Sequence, residues 1–197
     1  MNNNKQKAMT PNEIAKKVTI KLGTVFPSVE ESRQALRSVG ISRDIASYLW
    51  AKTIFGHSRL FGAYCDFWVG GLKSADGIES LSDLNKWWQD NVSFLQGSCE
   101  SLMGKSDSAE DRAVASMAGN WKHLRPFCLL GEYRSIFAWD LTRPNGAEEF
   151  EIVKLDYQLY NVGYYPDLYS IFENIVAGHF DDEMKRDEHG NAVFDQY

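Results

Sequence analysis

Apolar residues in the second half of the chain fall in short blocks separated by turn residues, which is the rhythm of strands rather than of a helix face. Phe127 to Leu130 forms one block and Gly131 breaks it; Ile136 to Leu141 forms a second and Phe150 to Leu155 a third. Between the last two, Arg143-Pro144-Asn145-Gly146 predicts a tight turn, since proline presets φ at its second position and glycine takes the positive φ of the reversal. The flanking strands are therefore expected to pair antiparallel. Asp140, ending the second block, is expected to accept backbone N–H bonds there, as aspartate does beside turns. A tyrosine-rich stretch, with Tyr157, Tyr160, Tyr164, Tyr165 and Tyr169, reads as a loop leading into a closing amphipathic helix.

The N-terminal third carries a helical period instead. Residues 1–10 are polar and expected to be disordered, and residues 11–197 to form a single globular domain. Thr10-Pro11-Asn12-Glu13 supplies an N-cap, a proline in the first turn and an acid, predicting a helix through Ile14, Val18 and Leu22 to Gly23. A second helix is expected from Pro27-Ser28 to Val39, ended by Gly40. A third begins at Ser42 and Asp44, buries Ile45, Leu49 and Ile54, and stops at Gly56. The aromatic run from Arg59 to Trp68 favours a strand. Ser80 or Ser82 caps a long helix to about Leu102, with Leu81, Leu84, Trp88, Val92 and Leu95 on one stripe. Asp107 to Ala118 reads as a short helix and Ala192 to Phe194 as a short strand. The fold class is α+β: a mainly antiparallel sheet of four to six strands with packed helices and a helical N-terminal third.

The C-terminal pattern resembles the SUKH superfamily, which includes bacterial toxin-immunity proteins and fungal cell-wall-synthesis regulators. It rests on a strand ending in Phe137, Trp139 and Asp140, a polar turn, a second strand ending at Asp156, and a helix with Ser170, Ile171, Phe172, Ile175 and Val176. Phe26-Pro27 and the segment from Ile78 to Trp88 extend it weakly. The resemblance implies an immunity-type protein that binds and neutralises a cognate toxin by protein–protein contact. An intracellular scaffold or regulator, or an enzyme with a site assembled from dispersed residues, are the alternatives. A cavity with clustered perturbed carboxylates would favour the enzyme, and a flat acidic face rich in tyrosine would favour a binder.

Composition narrows the field. With 44% hydrophobic and 24% charged residues the chain is globular. It has no run of 18 apolar residues and no apolar leader near Met1, so a cytoplasmic location without membrane contact is expected. Cys65, Cys99 and Cys128 have neither CxxC nor histidine-spaced partners and read as buried thiols. The net charge of −6 is uneven: residues 1–60 carry ten Lys/Arg against four Asp/Glu, and residues 61–197 carry eleven against twenty-three. Such a field repels nucleic acid and favours a partner with a basic surface.

Motifs for chemistry are scarce. GxSxG, HExxH and GxxxxGK[ST] are absent, and the His179, Asp181, Asp182, Glu183, His189 group matches no metal-ligand spacing. No catalytic residue, metal or cofactor is expected. The residues nominated for partner binding are Glu132, Glu148, Glu149 and Glu151 on the acidic sheet half and Tyr160, Tyr164 and Tyr165, because tyrosine supplies stiff contact area with a polar tip.

Overall fold

The computed structural model describes residues 8–20, 26–56, 59–62, 65–68, 80–102, 120–130, 135–155, 161–179, 188–190 and 192–195. Thr10 caps α1 (Pro11–Ala15) through a capping box with Glu13, as its sequence predicts. The helix stops seven residues short of Leu22, because Val18, Thr19 and Ile20 form β1 (Val18–Ile20). β-branched side chains suit that strand better than a helix. The expected disorder does not reach Met9, whose N–H donates to Glu173 Oε1 at 2.6 Å. Ser28 opens α2 (Val29–Ser38) with a second capping box, to Glu31. α3 (Ala46–Phe55) departs from expectation at its start: Ser42 and Asp44 are not its cap, and Ile45 occupies that position without a side-chain bond. Asp44 instead accepts from Arg33 Nε at 2.8 Å.

The aromatic run folds as a tight pair, β2 (Arg59–Gly62) and β3 (Cys65–Trp68), rather than as one strand. α4 (Leu81–Leu102) begins where Ser80 Oγ accepts the Asp83 N–H, and a 3-10 turn at Trp121–His123 leads into β4 (Leu124–Leu130). β5 (Ser135–Asn145), β6 (Glu149–Leu155) and β7 (Asn161–Tyr165) follow, then α5 (Leu168–Ala177) and β8 (Ala192–Asp195). The helix expected at 107–118 lies outside the described residues. The structure moves the predicted turn: Pro144 and Asn145 stay in β5, and the reversal falls at Gly146–Glu148, with Gly146 at φ 71°. Part of the tyrosine stretch, read as a loop, is strand β7, consistent with the β propensity of tyrosine.

Two four-stranded sheets result, in the orders β1-β8-β2-β3 and β4-β5-β6-β7. All pairs are antiparallel except β1 with β8, and the fold is α+β. The second sheet is a meander buried on both faces. Its first face carries Phe127, Phe137, Trp139 and Ile152 against Leu36, Tyr48, Phe55, Ile171 and Phe172 of α2, α3 and α5. Its second face carries Leu124, Ile136, Ala138, Val153 and Leu155 against Trp88 and Val92 of α4 and Trp121. Strand alternation explains the split, since odd and even positions of β5 point to opposite helical layers. Cys128 is buried in the first cluster, while the side chains of Cys65 and Cys99 lie outside the described residues. No described helix is long and apolar enough to cross a membrane.

Candidate functional site

The ladder between β5 and β6 breaks at one place. Trp139 pairs with Ile152 and Pro144 with Phe150, so the four residues Asp140 to Arg143 stand opposite the single residue Glu151. Proline in a strand has no N–H for the ladder, and a bulge is where a sheet tolerates it. Asp140 builds this bulge from inside. Its carboxylate is fully buried; Oδ1 accepts the Thr142 N–H at 2.9 Å and the Thr142 hydroxyl at 2.6 Å, and Oδ2 receives Asn120 Nδ2 at 3.4 Å. The N–H bond expected of Asp140 is present, and it satisfies a donor that the irregular ladder would otherwise leave open.

The bulge turns Arg143 outward over its neighbours. Its guanidinium carbon lies 4.1 Å from the centre of the Tyr164 ring, and its Nε bonds the Glu151 carboxylate. The hydrogen bond to Glu151 pushes the Arg143 pKa further up, so the guanidinium stays charged. Burial, followed by the negative field of Asp140, pushes the Tyr164 phenol above its ordinary value, and it stays neutral. The cluster thus presents a planar cation held between an aromatic face and a carboxylate. Asp140 lies beneath it, enclosed and with both carboxylate oxygens hydrogen-bonded.

The nominated residues do not make one continuous face. Glu151 and Tyr164 join the bulge. Glu149 instead fastens helices: Oε1 accepts the Ser47 N–H at 2.7 Å and Oε2 bonds the Ser47 hydroxyl at 2.8 Å, while Ser47 Oγ accepts the Leu168 N–H at 3.2 Å. It therefore supplies from another strand the cap that Ile45 cannot give to α3, and links it to the start of α5. Burial pushes its pKa up to about 7, against the opposing pull of the Ser47 bonds. Tyr165 packs into the first core, its ring centre 5.9 Å from that of Phe137. Glu148 is exposed on the turn, and Glu132 and Tyr160 lie outside the described residues. Arg43 Nη1 pins that turn from the α2–α3 loop, reaching the Gly146 carbonyl at 3.3 Å. Carboxylates Glu148, Glu149, Glu151 and Asp167 outnumber the guanidiniums of Arg43 and Arg143 at this end of the hairpin.

Arg143, Thr142 and Asn120 were not among the sequence candidates. Arg143 and Pro144 read as turn residues, although a proline just beyond an apolar strand block suits a bulge as well as a turn. Asn120 comes from a segment without periodicity. Among the described residues no group of three or more His, Cys, Asp or Glu side chains is placed to hold a metal ion. No family model matches the chain, and no curated protein or solved structure matches it. The SUKH resemblance therefore rests on the residue pattern alone.

Proposed function

We propose that the chain is a non-catalytic, immunity-type binding protein whose β5 bulge and adjoining hairpin turn engage a toxin with a basic surface. The observation that carries this reading is the preorganised Arg143–Tyr164–Glu151 cluster. Arginine and tyrosine dominate the energetic centres of protein interfaces, and side chains already held in place lose little freedom on binding. The carboxylate excess around the cluster favours a cationic partner and would act mainly on the rate of encounter. Two features weigh against an enzyme. Glu149, whose pKa is strongly raised, faces helix N-termini rather than a cavity, and Asp140 is closed off by its bonds.

The test is co-expression with a toxin domain encoded beside this chain's gene, followed by surface-plasmon kinetics on the purified pair. Glu148→Lys should slow association and flatten its salt dependence, whereas Tyr164→Ala should speed dissociation by about 1–3 kcal/mol. Absence of a neighbouring toxin gene, or wild-type kinetics in both variants, would contradict the proposal.

A further inference from the structure

Between α2, α4 and β4 lies a cavity of about 370 Å³, open to solvent, lined by Ser82, Asn85, Lys86, Gln89, Lys122 and Arg125 together with the end of α2. Its volume is within the range of small-molecule sites. Three cations meet there although they come from the acidic stretch of the sequence, because α4, the 3-10 turn and β4 bring Lys86, Lys122 and Arg125 together. No carboxylate is among the described lining residues, and neither lysine has a described ion-pair partner.

The way Arg125 is held makes this more than a basic patch. Arg125 is fixed: Nε donates to the Val39 carbonyl at 2.7 Å, and Nη1 to those of Lys122 and Leu124 at 2.8 and 2.9 Å. Gly40, at φ 80°, ends α2 beside Nη2, where a Cβ would stand 3.9 Å away, so no side chain covers that nitrogen from this direction. Burial also draws the Arg125 pKa down, a desolvation that an anion would offset. Asn85 is 6% exposed, and its Nδ2 is committed to the Leu81 and Pro126 carbonyls at 2.9 and 2.8 Å. Those two acceptors fix the amide orientation. Its Oδ1 is enclosed within the protein without a described partner, so the residue stiffens the cavity wall and offers it no acceptor.

We propose that this cavity binds a small phosphomonoester, its phosphate held by Lys86, Lys122 and Arg125. A small ligand fits better than a nucleic acid. A polyanion needs a basic track longer than three residues, and the net charge of −6 opposes it. The site shares no lining residue with the β5 bulge and stands independently of the toxin-binding reading.

The experiment is calorimetric titration of the full chain with inorganic phosphate, with glycerol phosphate and with a short single-stranded oligonucleotide. Glycerol phosphate is expected to bind at one site, at least tenfold more weakly in Lys86→Gln/Lys122→Gln and unchanged in Lys16→Gln/Lys17→Gln. Arg125→Gln, checked for folding by circular dichroism, should abolish binding; should it not fold, Lys86→Glu takes its place. Failure of both phosphates to bind, or equal affinity in the two double variants, would overturn the proposal. So would tighter binding of the oligonucleotide with a steep salt dependence, which would assign the cavity to nucleic-acid phosphate instead.

Discussion

The two faces of the β4–β7 sheet differ in how completely they are closed. The first is sealed by three helices, with Tyr48 edge-on to Trp139 at 5.4 Å and Phe55 stacked on Phe172 at 4.4 Å. The second has α4 over Ile136, Ala138 and Val153, and at the bulge it changes to Asp140, Arg143, Glu151 and Tyr164. One sheet thus has an apolar first face throughout and a second face that turns polar and partly exposed at its end. Alternation along β5 makes this possible, because Trp139 and Asp140 are neighbours in sequence and belong to opposite layers.

Truncation should separate the faces most clearly. Trp139→Ala is expected to destabilise the fold by about 3–5 kcal/mol, since it empties a fully buried site. Urea denaturation should show the loss as a lower midpoint with unchanged slope; a loss below about 1 kcal/mol would mean that the first face is not the cohesive one. Asp140→Ala should cost about 1–3 kcal/mol by stranding the Thr142 N–H, and Asp140→Asn, which keeps an acceptor, should recover most of it. Equal loss in both variants would point to the charge rather than to the bulge.

A smaller effect depends on pH. Glu149 binds its proton more tightly folded, at about 7, than unfolded, near the ordinary value of 4.5. A raised folded pKa gives stability that is fully present below the unfolded value and is lost as pH rises through the folded one. The midpoint of unfolding should therefore fall between pH 5 and 8, and Glu149→Gln should flatten that slope. A slope of the same size in the variant would remove Glu149 as its source.

The apolar layers on both faces were legible in the sequence, and the polar end of the second was not. Capping boxes at Thr10 and Ser28, the stripe from Leu81 to Val92 and the three apolar strand blocks are local signals, and the structure uses each of them. The bulge and the cap of α3 are not local. Glu149 serves Ser47 across 102 residues, and Asn120 meets Asp140 across a strand, so neither partnership leaves a spacing to read. The tyrosine stretch misled in part, because Tyr164 and Tyr165 alternate across a strand and only Tyr164 reaches the polar end. The charge count misled as well: the basic cavity is assembled inside the segment whose sum is most negative.

If the proposed function holds, the exposed Arg143 side chain on the bulge serves binding and adds little to stability, whereas Asp140 beneath it holds the backbone. Arg143→Ala tests it most directly when urea stability and rescue from the co-expressed toxin are measured on the same variant. Arg143 is half exposed, so its ion pair with Glu151 should be worth about 0–1 kcal/mol. Stability within that margin of wild type together with loss of rescue is expected. Full rescue by a stably folded Arg143→Ala would contradict it.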